Sequence, residues 1–311
     1  MFIRDMSISD QIEGFFLLQD AYSKTTLAGK PYLSMVLSDC TGSIDAQIWD
    51  YSGPITQNDN GAVVKIRGAV SEFKGTMQIT VDRLRLADLN DRYNISDLVP
   101  AAPIDAPAVW QILQHIVDSI GDRDYSEICK EMLRRYGEKI RILPAAKSIH
   151  HSFLNGLLMH TANMLQTADF LAGLYESVID RSLLIAGTLL HDFAKCEEFK
   201  TSPLGLVTDY SVKGQLLGHL VMGAQEVAIV AASLNVPEEK SVLLQHMILS
   251  HHGEPEFGAA VRPMCAEGEL LSYIDMIDSR MEIYRETLKE IPEGEFSKRI
   301  FALERRIYHH N

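Results

Sequence analysis

At 311 residues the chain is longer than the usual single domain of about 100–200 residues, so two domains are the default expectation. A hydrophobic share of 46% and a charged share of 23% are ordinary for a globular protein; no run approaches the roughly 18 apolar residues of a bilayer span, and MFIRDMSISDQIEG lacks a secretory pattern, so membrane and exported classes are set aside. The formal net charge of −13 speaks against coating nucleic acid by bulk electrostatics, although acidic residues are also what divalent cations need.

The first part of the chain reads as strands: residues 12–22, 32–38, 43–49, 62–70 and 76–86 are β-rich runs, with turn signals at 28–31, 39–42, 58–61 and 73–75. Five short strands suit a small closed barrel of OB type. The irregular stretch 50–61 falls where such a barrel makes its crossing between the third and fourth strands. OB barrels bind oligonucleotides across strands two and three, so Tyr32, Trp49 and Phe73 are candidates for base stacking, with core positions as the ordinary alternative. Lys74, with Lys30, Lys65 and Arg67, is a candidate for phosphate contact. Yet over residues 1–90 lysine plus arginine total 8 against 11 acidic residues, so binding is expected to be weak unless charge gathers on one face.

Residues 90–107, NDRYNISDLVPAAPIDAP, show no sustained period and read as a linker between a barrel domain at 1–89 and a second domain at 108–311. Beyond the linker, apolar positions recur three or four apart over 109–120, 126–136, 154–174, 181–191, 218–234 and 239–249, which predicts an all-α bundle. The fold class expected is therefore multidomain, an all-β barrel followed by helices. Cys40, Cys129, Cys196 and Cys265 form no C-x-x-C pair, which points to a reducing, cytoplasmic compartment.

The chemistry is carried by histidines at helix ends. His160 ends FLNGLLMH, His191 and Asp192 end LLIAGTLLHD, His219 opens GHLVMG, His251 and His252 follow LLQHMILS, and Asp275 lies in LLSYIDMIDSR. Embedded in apolar helices, these groups should face the bundle interior. Imidazole and carboxylate together suit a divalent transition metal, with Mn, Fe, Co, Ni and Zn all eligible. The supply is enough for two ions: His160, His191, Asp192 and Asp275 at one, and Asp192 as a bridge with His219 and one of His251 and His252 at the other. His251 is preferred as the ligand, leaving His252 as an outer or substrate contact. Two ions sharing a carboxylate suit phosphoester hydrolysis. Lys195, three residues beyond Asp192, is placed to lean toward a phosphate oxygen, a solvated lysine being the alternative. His151, with His150, touches substrate or merely caps a helix. Asp278, one turn beyond Asp275, either supports a ligand histidine or caps a surface. His115, His246, His309 and His310 read as structural or solvated.

The order H…HD…H…HH…D, with the words HDFAK and LSHHGEPEFG, resembles the HD superfamily of metal-dependent phosphohydrolases. A barrel before such a domain, with PAAKSIHHSFLNGLLMHT, LLGH and YIDMID, resembles the bacterial YhaM-type 3′-to-5′ exoribonucleases over essentially the full chain. The resemblance implies exonucleolytic cleavage of single-stranded RNA, with DNA as a further substrate, to nucleoside monophosphates, and dependence on a divalent metal such as manganese. Three alternatives stand beside it: a phosphodiesterase acting on a cyclic or free nucleotide, a non-catalytic single-strand-binding protein with a structural metal, and an oxygenase with a di-iron centre. Self-association into a homo-oligomer is left open, and no membrane partner is expected.

Overall fold

The computed structural model describes the chain apart from residues 27, 74, 89, 100, 146–152, 203–204 and 311. Lys74 and His151, both expected at functional surfaces, lie outside the described residues. The chain divides into two compact units, Met1–Ala101 with Thr201–Thr208 and Ala102–Lys200 with Asp209–Asn311.

In the first unit, β1 (Gln11–Thr25), β2 (Pro31–Asp39), β3 (Gly42–Trp49), β4 (Val63–Phe73) and β5 (Thr76–Leu86) close into a barrel in the order β1-β2-β3-β5-β4. This is the five-stranded OB arrangement. The length of β1 makes closure possible. Its first half pairs with β4 from Gln11 to Leu17 and its second half with β2 from Leu17 to Thr25. Between them the register shifts at Gln19/Tyr22, where Asp20 takes a φ of 44°. Such a bulge bends a strand and sharpens its twist, so one strand serves both edges of the sheet. The barrel core is aliphatic, with Leu18, Leu33, Leu37, Val64 and Ile79 fully buried.

The expected linker at 90–107 is corrected in part: Ile95–Leu98 forms a short helix, α1, that buries Leu98, and Ala106 already begins the next helix. Proline and alanine hid these turns because neither four-residue α1 nor a helix start is long enough to show a period.

The second unit contains α2 (Ala106–Asp118), α3 (Arg123–Ile142), α4 (Gly156–Leu174), α5 (Arg181–Leu190), α6 (Lys195–Glu198), α7 (Val212–Ser233), α8 (Glu238–Ser250) and α9 (Ala266–Glu290). Eight of the ten residues of α5 are buried, which makes it the central helix, and α4 is apolar on nearly every side beside it. Asp180 caps α5, accepting from the backbone N–H of Ser182 and Leu183. A small hairpin, β6 (Phe199–Thr201) with β7 (Val207–Tyr210), was not anticipated; it leaves and re-enters the second unit, Thr201–Thr208 being assigned to the first. Its strands are too short for alternation to register in sequence.

Helix α7 is long and apolar enough, at a mean hydropathy of 1.4, to cross a membrane by length and composition. It is broken inside: Gly218 adopts φ 69° and ψ 161°, outside the helical region. Directly after the break, the His219 ring faces Asp192 and Glu198 inside the second unit.

Candidate metal centre

The expected metal ligands converge in the second unit. His160 lies in the second turn of α4, His191 caps α5 and Asp192 follows it, His251 caps α8, and Asp275 sits in the middle of α9. His160, His191, Asp192 and His251 are each at most 3% exposed. Helix ends suit this purpose, because a side chain at a C-cap projects along the axis into the space where several helices meet.

Each histidine is oriented from behind. The Nδ1 of His191 donates to the Thr188 carbonyl at 2.7 Å and that of His251 to the Ile248 carbonyl at 2.8 Å. A carbonyl can only accept, so the hydrogen sits on Nδ1 and the inward Nε2 carries a lone pair. His160 Nδ1 faces the carboxylate of Asp278 at 2.7 Å, and His219 Nδ1 faces Glu198 at 3.2 Å. All four rings thus expose Nε2 to one small volume, and outer acceptors of this kind fix both tautomer and orientation in metal sites.

The inward atoms fit a cation better than they fit one another. Nε2 of His160 and Nε2 of His191 stand 3.2 Å apart. His160 Nε2 is 3.4 Å from Asp275 Oδ1, and His191 Nε2 is 3.3 Å from Asp192 Oδ2. Asp192 turns its other oxygen, Oδ1, toward His219 Nε2 at 3.4 Å and His251 Nε2 at 3.8 Å. Those last three atoms are buried without a hydrogen-bond partner. Leaving a buried polar atom unpaired costs about 1–3 kcal/mol, so several together mark a place built for a ligand. Two sets, His160/His191/Asp275 and His191/Asp192/His251, each bring three donor atoms within 4.8 Å of one another. A third, His219/His251/His252, does the same, so His252 stands beside His251 rather than behind it.

Electrostatics point the same way. Burial opposes a charge on His160, but Asp275 and Asp278 overcome it and carry the ring's pKa to about 10, so the spot favours a positive ion. Burial would raise Asp192, yet Lys195 and His191 hold it well below the carboxylate range. His251 is kept neutral, first by burial and then by its histidine neighbours. Lys195 places Nζ 2.6 Å from Asp192 Oδ2 and lines the same cavity of about 330 Å³. Burial opposes its charge, but Asp192 outweighs this and raises its pKa.

Sequence reasoning missed Glu198. It accepts from the backbone N–H of His219 at 3.0 Å, a group that the break at Gly218 releases from the helix, as well as from the ring. A glutamate in the word KCEEF carries no signal of this role. The glycines facing it, Gly214 and Gly218, were the available hint: a Cβ on Gly214 would run into the Glu198 carbonyl oxygen. Asp278, read with two roles open, supports His160 and also accepts from Asn163 at 3.0 Å.

In the barrel, Tyr32 and Trp49 are register partners on β2 and β3, with ring centroids 4.9 Å apart and planes inclined by 36°. Trp49 is 48% exposed, too open for a core residue. Phe73, 56% exposed, ends β4 at the β4–β5 turn. Lys30 pairs loosely with Asp50 at 3.5 Å, and Lys65 with Glu13 at 3.0 Å.

The HD domain family profile matches residues 157–280, which encloses every expected ligand, and the TraI_2 profile matches 95–175. The protein named 3′-5′ exoribonuclease YhaM from Geobacillus sp. strain WCH70 is 33% identical over 307 residues, 97% of this chain and 92% of that protein. Its namesake from Oceanobacillus iheyensis is 32% identical over 309 residues, 97% of this chain and 95% of that protein. A solution NMR structure of the OB domain of Ta0387 from Thermoplasma acidophilum aligns with 30% of this chain and 90% of its own at 21% identity, with a TM-score of 0.25.

Proposed function

The chain belongs to the 3′-5′ exoribonuclease YhaM family, and on that premise we propose that it is a metal-dependent hydrolase that shortens single-stranded RNA from the 3′ end, releasing nucleoside monophosphates. The observation that carries the reading is the set of inward Nε2 atoms gathered around Asp192, with its unpartnered buried oxygen. His160, His191, Asp192 and Asp275 would hold one ion. Asp192, His219, His251 and His252 would hold a second, with Asp192 shared between the two sets. An imidazole and carboxylate set suits manganese, with iron, cobalt, nickel and zinc as chemical neighbours. When bound, the ions supply a nucleophile at neutral pH and offset charge on the phosphate.

The chain's own residues do the rest. Lys195 spends one N–H on Asp192, and its remaining two can meet a phosphoryl oxygen that gains charge during the reaction. Asp278 and Glu198 hold His160 and His219 in place. Tyr32 and Trp49 offer stacking faces for bases, which tolerates any sequence. All four cysteines are free thiols, which suits a cytoplasmic address.

The decisive experiment incubates the protein and manganese with one single-stranded RNA labelled at either end. The 5′ label should appear on a ladder of shortening products, while the 3′ label is released at once as a mononucleotide. Internal fragments from both labels, or turnover of cyclic nucleotides with the RNA left intact, would overturn the reading.

A further inference from the structure

The outer face of β1, β4 and β5 carries a feature that neither the metal centre nor the aromatic pair uses. Antiparallel register sets Lys65 opposite Arg85 and Arg67 opposite Arg83. The four side chains line one groove of about 590 Å³. They are half of the 8 basic residues in the first 90 positions, in a segment with 11 acidic ones. Like charges directly opposite on a sheet are destabilising, so a two-by-two array of cations departs from what the fold alone would favour.

Two of the four cations are answered from within. Lys65 pairs with Glu13 at 3.0 Å, and Arg85 is gripped by both oxygens of Asp91 at 2.6 and 2.7 Å. Arg67 and Arg83 are exposed, and among the described residues their side chains make no hydrogen bond and no ion pair within 4 Å, Glu13 acting on both only at longer range. Asp82, the second carboxylate in the groove after Glu13, leaves the lining with a net positive charge. Ile48, Ile66 and Leu84, which belong to or pack against the barrel core, complete the lining. Guanidinium forks suit bidentate contacts to phosphate oxygens, and a lining of net positive charge favours a polyanion.

We propose that this groove is a second contact for single-stranded nucleic acid, a phosphate track on strands other than those bearing Tyr32 and Trp49, with Arg67 and Arg83 as its phosphate ligands. It rests on the reading of the chain as a processor of single-stranded RNA, and it makes affinity depend on strand length. A strand too short to occupy the groove lacks this contact, whereas a longer strand gains it.

The test uses the full-length, metal-loaded protein, with KM and kcat measured at two salt concentrations. The substrates are a dinucleotide and a strand of about 24 nucleotides, longer than the roughly 4–16 an OB fold covers. Replacing both residues, Arg67→Gln with Arg83→Gln, should raise KM for the long strand about tenfold at low salt. It should also flatten the salt slope by about 1.4, two contacts at roughly 0.7 each for a single strand. The dinucleotide constants and metal content should not move. Arg67→Lys with Arg83→Lys retains the charge and should keep the slope, and it checks that any loss is not misfolding. Trp49→Ala is the parallel arm. If it raises KM for the long strand while the glutamine pair changes neither KM nor slope, the groove is not a nucleic-acid contact and the aromatic reading survives. If neither variant moves KM, the barrel holds no RNA, and the groove proposal falls with the capture role.

Discussion

The metal centre and the barrel surface solve recognition in opposite ways. In the centre His160, His191, Asp192 and His251 are buried, and four histidines are held from behind, by Thr188 and Ile248 carbonyls and by Asp278 and Glu198. On the barrel, Trp49, Arg67 and Arg83 stand exposed, and β-strand register alone sets their spacing. A centre that must place a reacting phosphorus needs orientation fixed before substrate arrives, whereas a surface that slides along any sequence gains from faces and charges that adapt. The difference separates what each region controls: chemistry and metal occupancy in one, substrate capture in the other.

The harshest way to break this division is to strip the metal. A chelator should reduce RNA cleavage to background while far-ultraviolet circular dichroism keeps its helical signal, because α4 and α5 are held by apolar packing rather than by the ion. Loss of the helical signal on chelation would show that the metal carries the fold. Next in size is Asp192→Asn, which removes the one carboxylate facing both histidine sets. It should lower kcat about a thousandfold and deplete bound metal, with KM for RNA little changed. Full metal content at near-native rate would rule out the shared-carboxylate assignment.

A smaller effect tests whether orientation from behind matters by itself. Glu198→Ala leaves all inward ligands in place but frees the His219 ring; metal affinity should fall about 10–100-fold, and Glu198→Gln should recover most of it. Equal metal affinity in Glu198→Ala and the parent, by titration, would demote Glu198 to a packing residue. The smallest expected effect belongs to the barrel. Trp49→Ala should raise KM for a long strand about tenfold, from the roughly 1–3 kcal/mol of a base stack, and leave kcat and metal content alone. A fall in kcat instead would mean that the barrel takes part in the chemical step.

The parts legible in sequence are those with a period or a fixed chemical identity. Alternation and turn residues marked the five strands, with β5 at its observed bounds and the others within a few residues. The histidines were legible because apolar helices have little other use for so many imidazoles, although only His191 and His251 stand at helix ends. What stayed hidden depends on contacts between distant segments. Glu198 and His219 meet only because α7 breaks, and a single glycine at 218 within an apolar run does not announce a break. Arg67 and Arg83, 16 positions apart, form a pair only once the β4–β5 register is known. Helix α9 showed Asp275 but not its full extent, because its charged and apolar residues follow no single stripe over 25 residues.

The junction of α6 with α7 carries a consequence for how this protein can change. Glu198 touches the backbone of α7 where Gly214 leaves no room for a side chain, and it reaches His219 only because Gly218 sits at a φ that other residues resist. The three positions therefore behave as one unit under mutation. A change at 214 or 218 displaces the partner of 198, and once that partner is displaced a further change at 198 has little left to remove. The cost of a double substitution among them should be well below the sum of the two single costs. The first change at any of them therefore carries most of the cost, and a second among the three neither adds much nor restores what was lost.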